Sequence, residues 1–302
     1  MQILPVNLDA FLIELPDPDG TMALYRSLQV ARLPGVAELL PAARTVLVRL
    51  TPGTDPAALI TAILRLDQTP PPRTDARLVE IPVLYDGPDL AEVADTLGIP
   101  PAEVIARHAA ADYRVAFTGF APGFAYLTAT GAGLDVPRRQ TPRTRIPAGA
   151  VGLAGTFSGV YPRESPGGWQ IIGVTPATMF DPDRQPTALL APGDRVRFRA
   201  IDRLPEPAPP RSAAAAPAEP GLTLLDARLP VLVQDMGRPG QAGIGVPVSG
   251  ALDRAALARA NALMGNPEAV PGLEITLGAA SFLAEVAMTV VLTGAPCELV
   301  LT

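Results

Sequence analysis

The sequence predicts an α+β chain that is mainly β. A small α/β layer domain comes first, a β-barrel or sandwich follows, and a further β region closes the chain. Three observations carry this. Strand-like and helix-like segments alternate over residues 1–85. From Tyr113 to Ala200 the texture changes to short β-branched or aromatic segments cut by Gly and Pro. A Pro/Ala-rich stretch, 204–221, then has little to bury and favours extended, semi-stiff conformations. The expected organisation is therefore 1–85, 86–203, a linker at 204–221, and 222–302.

In the first region "DAFLIEL", "ARTVLVRL" and "ARLVEIPVLY" read as strands, and "TMALYRSLQVAR" and "DPAALITAILRL" as helices. Two short helices follow. In "PDLAEVADTLG", Asp89 and Glu92 have capping-box spacing, and Leu90, Val93, Ala94 and Leu97 repeat at helical intervals before Gly98 stops the run. "PPAEVIARHAA" repeats the device behind prolines. The barrel region supplies "YRVAFTGF", "AVGLAG", "WQIIGVTP" and "DRVRFRA" as strands. Beyond the linker, "LTLLDARLPVLVQDMG" reads as strand, turn, strand. "SGALDRAALARANALMGNP" is a helix capped by Asp253 and ended by Gly265, and "GLEITLG", "SFLAEVA", "MTVVLTGA" and "CELVLT" read as strands. This last part looks like the opening of a β domain, which would carry unpaired edges.

Composition excludes several function classes. The 302 residues carry a net charge of −6, which argues against nucleic-acid binding. No lysine is present, so all 24 basic residues are arginine. The chain therefore cannot carry covalent biotin, form a Schiff base, or supply the lysine of a phosphate-binding loop. A single Cys (Cys297) and a single His (His108) exclude a disulfide framework and a His/Cys zinc site. The N-terminus lacks a basic start with a clean apolar run, and no stretch reaches 18 apolar residues. A soluble, cytoplasmic protein without membrane partners is expected.

The loops of the middle region carry the chemistry. In "GFAPGFAYL", Gly119 and Gly123 flank Pro122, with Phe124 behind. Such glycines let backbone approach a ligand or another strand, though from spacing alone a tight turn pinned by aromatics is the better reading. "PRRQTPRTRIPAG" sets Arg138, Arg139, Arg143 and Arg145 among stiffening prolines. Arginine's planar fork suits carboxylate or phosphate. On an extended segment Arg143 and Arg145 share a face, making them the candidate anion-binding pair. In "YPRESPGGWQIIG", Ser165, Gly167 and Gly168 precede the only Trp. No G-x-S-x-G elbow surrounds Ser165, so a loop-shaping or ligand-bonding role suits it better than a nucleophilic one. His108 ends a predicted helix, where partial positive charge is favoured, or stands near the site.

"HAAADYRVAFTGFAPGFAYL", "PRRQTPRTRIPAGAVGLAG" and "YPRESPGGWQIIG" resemble the family known as allophanate hydrolase subunit 1, or the B-type subunit of 5-oxoprolinase, which includes sporulation-kinase inhibitors. The likeness covers about residues 3–200. The segment from "VQDMGRPGQAGIG" to "GLEITLG" resembles the start of the companion family, allophanate hydrolase subunit 2 or the C-type subunit of 5-oxoprolinase. The chain is thus similar to a B–C fusion cut short inside C. The resemblance implies a cyclophilin-like β-barrel after the α/β domain, then a partial second cyclophilin-like β domain. It also implies a component of an ATP-dependent 5-oxoprolinase, which opens 5-oxoproline to glutamate. That component would be inactive alone. It would act with a separate A-type subunit, together with a complete C-type subunit or its missing portion. ATP with Mg would be used by the assembled complex. A carboxyltransferase for urea or a similar amide, with a separate biotin carrier, and a non-enzymatic histidine-kinase inhibitor are the alternatives. Two positions depart from the family pattern. Thr156-Phe157-Ser158-Gly159 stands where Asn-Gln-Thr-Gly is usual, and Val174 stands where a basic residue is common. Gly119, Pro122, Gly123, Phe124, Arg143, Arg145, Ser165, Gly167, Gly168 and His108 are the expected substrate-site residues.

Overall fold

The computed structural model describes residues 1–66, 76–206, 221–277 and 279–300. They fall into two compact units, one of residues 1–206 with 240–246, the other of 207–239 with 247–302. Most of the expected linker, 207–220, lies outside the described residues.

The first unit begins with four antiparallel strands, β1 (Gln2–Asn7), β2 (Ala10–Glu14), β3 (Val36–Pro41) and β4 (Thr45–Leu50), in the order β1-β2-β4-β3. Alternation in β4 buries Val46, Val48 and Leu50 on one face. Helices α1 (Pro18–Ala31) and α2 (Pro56–Leu64) cover that face with Leu24, Tyr25, Leu28, Leu59 and Ile63. Each starts on a proline behind an aspartate cap. Asp17 accepts from the N–H of Gly20 at 2.7 Å and Asp55 from that of Ala57 at 2.9 Å. The sequence reading omits β1 and β3, whose apolar residues do not alternate cleanly.

Next comes β5 (Leu78–Val83), then helices α3 (Leu90–Leu97) and α4 (Pro101–Ala110). The remaining strands of the unit are β6 (Tyr113–Thr118), β7 (Ala125–Thr128), β8 (Arg143–Ile146), β9 (Ala150–Ala154), β10 (Phe157–Val160), β11 (Ser165–Gly167), β12 (Gln170–Val174) and β13 (Arg195–Ala200). Six of them form one sheet with β5, in the order β12-β9-β10-β7-β6-β13-β5. Leu84 and Val174 exchange backbone hydrogen bonds of 2.9 Å, joining the two ends of this sheet into a nearly closed barrel. Its interior is filled by Ile81, Val83, Val115, Leu127, Leu153, Ile172, Val196 and Phe198. Each such side chain contributes roughly 1.5–3 kcal/mol by leaving water. β5 therefore belongs to the barrel, where it pairs in parallel with β13, and not to the N-terminal layer in which its sequence position places it. β8 and β11 form a separate two-stranded ribbon.

Gly98 ends α3 in the left-handed region, as the sequence predicts. The capping box does not form: Asp89 sits at the N-cap but its carboxylate makes no cap bond. The segment 240–246, with a 3₁₀ turn at Ala242–Ile244, packs in this unit. Thr118 Oγ1 donates to Gly243 O (2.7 Å), Gly123 N to Ile244 O (3.1 Å), and Ala242 N to Glu38 Oε1 (3.2 Å).

The second unit contains two antiparallel ribbons. β14 (Leu222–Ala227) pairs with β17 (Ala280–Ala284), and β15 (Val231–Gln234) with β16 (Gly272–Ile275). Helix α5 (Arg254–Met264) is capped by Asp253, which accepts from Ala256 N at 2.8 Å, and stops at Gly265. Met288–Ala295 and Cys297–Val300 form no strand, against expectation. β-branched composition favours a strand only where a neighbour offers a ladder, and among the described residues none does. No helix among the described residues is long and apolar enough to cross a membrane.

Candidate functional site

A cleft of about 210 Å³ opens where the β8–β11 ribbon meets the barrel end. Arg143 and Arg145 line it from β8, together with Ile146 and Pro147. Asp86, Gly87 and Pro88 form another part of the lining, and Ala150, Ile171, Gly173 and Val174 complete it. The wall needs its glycines. An added Cβ on Gly87 would run into the backbone of Ile171–Gly173, and one on Gly173 into Leu84 O. Ile146, Ala150 and Ile171 also belong to an aromatic cluster with Phe124, Tyr161 and Trp169, which supports the cleft from behind. Val174, where a basic residue is common in the resembled family, puts an apolar side chain on this wall.

The two arginines are both paired, in opposite settings. Arg143 donates from Nη1 to Asp89 Oδ2 (2.7 Å) and from Nη2 to Oδ1 (2.6 Å). Arg139 Nη1 adds a bond to Oδ1 (2.7 Å), and Ile171 N one to Oδ2 (2.7 Å). Four donors thus fill the acceptor capacity of a carboxylate whose side chain is 2% exposed. Burial pushes the Asp89 carboxyl upward, but the hydrogen bonds from Arg143 and Ile171 and the charges of Arg143 and Arg139 outweigh it, holding Asp89 below the usual carboxylate range. The Asp89 bond in turn raises Arg143 above its ordinary value. Removing one partner of such a buried pair costs about 3–5 kcal/mol. Arg145 instead meets Glu164, Nε to Oε1 at 3.0 Å and Nη2 to Oε2 at 2.7 Å, with side chains 77% and 54% exposed. A solvated pair of this kind contributes about 0.2–1 kcal/mol. The expected anion of the arginine cluster is therefore, for Arg139 and Arg143, the protein's own Asp89. Of the two arginines that line the cleft, Arg145 is the one with an exchangeable partner. Arg138 is exposed and has no hydrogen-bonded partner among the described residues.

The other predicted residues divide. Ser165 and Gly167 pair across the ribbon with Ile146 and Arg143, so they hold β8 in place. Ser165 Oγ bonds Arg163 O at 3.4 Å and meets no imidazole, and Gly168 O accepts from Arg139 N at 2.8 Å. Gly119, Pro122, Gly123 and Phe124 form the loop after β6. Gly123 takes φ +79°, with Met179 O 2.8 Å from where a Cβ would stand. Phe124 is buried edge-to-face against Tyr161 and Trp169, both at 5.3 Å, so this loop supports the site without lining the cleft. His108 is corrected outright. It lies fully buried in the barrel, 2.7 Å from Tyr85 Oη through Nδ1 and 2.8 Å from Ser158 Oγ through Nε2, and it stacks on Phe198 at 4.3 Å. Burial lowers its pKa to about 3, so it is neutral and no helix-end cation arises. Sequence reasoning missed Asp89, Glu164 and Asp86. The available signal is an excess of arginine that calls for acid partners, and the cap reading of Asp89 conceals it.

The cleft is smaller than the roughly 300–1,000 Å³ of drug-sized ligand sites, and Arg143, one of its two guanidinium groups, is bound to Asp89. Among the described residues no three His, Cys, Asp or Glu side chains converge as metal donors.

Family models match residues 1–190 to the carboxyltransferase domain, subdomain C and D, and residues 244–302 to the carboxyltransferase domain, subdomain A and B. The chain is 40% identical over 201 residues to the B-type subunit of 5-oxoprolinase from Escherichia coli O157:H7, spanning 63% of this chain and 91% of that one. Over 77 residues it is 44% identical to the C-type subunit of 5-oxoprolinase from Escherichia coli K12, covering 26% of this chain and 25% of that one. The crystal structure of TTHA0988 superposes with a TM-score of 0.72 at 36% identity, over 88% of this chain and 55% of that chain. The chain thus spans about half of that structure and a quarter of the C-type relative.

Proposed function

The chain belongs to the carboxyltransferase-domain family, and on that premise we propose that it is a B-type subunit of a 5-oxoprolinase, joined to the first part of a C-type subunit. One observation carries the proposal: the two ends of the chain are similar to two subunits of one named enzyme. The reaction is hydrolysis of a stable lactam to an amino acid. ATP drives it in the assembled complex with a separate A-type subunit. No step through ATP is assigned to this chain. Its part is to hold the small substrate. The cleft has an apolar floor in Ile146 and Ile171 and a guanidinium, Arg145, at its lining. That combination suits a ring bearing one carboxylate.

Reconstitution tests the reading. The full-length chain mixed with a candidate A-type subunit should release glutamate from 5-oxoproline only when ATP is present, and neither protein alone should do so. Carboxyl transfer from a separate biotin carrier, without glutamate release, would replace the proposal with a carboxyltransferase.

A further inference from the structure

Resting on the proposed substrate class, we infer that Glu164 is a built-in stand-in for the substrate carboxylate, and that Arg145 exchanges it for the incoming ligand. The two arginines of the cleft differ in availability. Arg143 is held by a buried carboxylate that four N–H donors already satisfy, so turning toward a ligand would break two of the four bonds that hold Asp89 out of water. Arg145 holds Glu164 in the same two-pronged geometry, but both side chains are solvated, so water or another carboxylate can take either place at little cost. The bidentate fork that fits Glu164 fits any carboxylate. Asp86, also on the lining and without a hydrogen-bond partner among the described residues, offers an acceptor for the amide N–H of a lactam. With one exchangeable cation and one free carboxylate, the cleft selects a small cyclic amide carrying a single negative charge and disfavours a triphosphate.

Calorimetric titration of the full chain with 5-oxoproline, 2-pyrrolidinone (the same ring without the carboxylate) and Mg-ATP tests this. The unaltered protein should prefer 5-oxoproline over 2-pyrrolidinone by about two- to fivefold. Arg145→Ala should erase that preference, and Arg145→Lys should restore part of it. Glu164→Gln should tighten 5-oxoproline by about two- to fivefold, because the internal competitor is gone. Asp86→Ala should weaken both lactams together, and Mg-ATP should not compete. Emission of the only tryptophan, Trp169, checks that each variant is folded. No preference for the carboxylated ring, an unchanged preference in Arg145→Ala, weaker binding in Glu164→Gln, or competition by Mg-ATP would each overturn the inference. If the preference is present but no glutamate is released with the A-type subunit, the cleft assignment stands and the proposed function falls. Glutamate release that Arg145→Ala leaves intact, with KM unchanged, does the reverse.

Discussion

Arg143 and Arg145 stand two residues apart on β8, each forms a two-pronged salt bridge, and each lines the same cleft. Behind the cleft, Asp89 is sealed under Arg139, Arg143 and the Ile171 N–H. At the rim, Glu164 lies open to water. The contrast teaches that desolvation, not bond geometry, decides what an ion pair does. The sealed pair tethers the start of α3 to the ribbon, because breaking it strands a charge out of water. The open pair adds little to stability and is for that reason free to trade partners.

The comparison can be broken from its strong side first. Asp89→Ala should lower unfolding free energy by about 3–5 kcal/mol, read from urea midpoints, because it leaves Arg139 and Arg143 facing each other. A loss below about 1 kcal/mol would place the sealed pair in the same class as the open one. The barrel interior gives a second test, through pH. The folded pKa of His108 lies near 3, below its ordinary 6.5, so the unfolded chain binds the extra proton between those values. The neutral-imidazole contribution is therefore complete above pH 6.5 and is lost progressively as pH falls toward 3. The slope is about 1.4 kcal/mol per pH unit within that window. His108→Gln should flatten the slope. The depressed Asp89 acts in the same direction only at lower pH, its contribution being lost as pH falls through its folded value.

Gly87→Ala comes next. A Cβ there meets backbone of Ile171–Gly173, which cannot swing aside, so a loss of about 1–3 kcal/mol in thermal or urea unfolding is expected. Smallest is Arg145→Ala, with less than about 1 kcal/mol lost, diminishing further in high salt. A larger, salt-insensitive loss would show the rim pair to be structural, and it would remove the basis for partner exchange.

Much of the fold was legible. Strand-like and helix-like runs located β2, β4, α1 and α2, short β-branched or aromatic segments cut by Gly and Pro located β6, β9, β12 and β13, and cap and stop residues located α3 and α5. Less visible were β1 and β3, which lack clean alternation. β5 was seen as a strand but set in the wrong layer, because a strand's own pattern does not name its neighbour. The apolar runs near the C-terminus show the same limit: Met288–Ala295 has strand composition and no ladder. Of the residues expected at the site, Arg143 and Arg145 line the cleft, and Ser165 and Gly167 lie beside it on β11, joined to β8 through the pairing of Gly167 with Arg143.

By itself, the sequence determined the inventory. Arginine is the only basic side chain apart from one imidazole, the prolines stiffen "RRQTPRTRIPAG", and the motifs place the chain in its family. Tertiary structure alone decided how that inventory is used. It gave Asp89 to two arginines and not to a helix cap, buried the single histidine out of contact with solvent, and left Arg145 in a solvated pair at the cleft. The physical reason is that the cost of holding a charge depends on its surroundings. Identical residues at neighbouring positions differ by several kcal/mol in commitment according to whether water still reaches them.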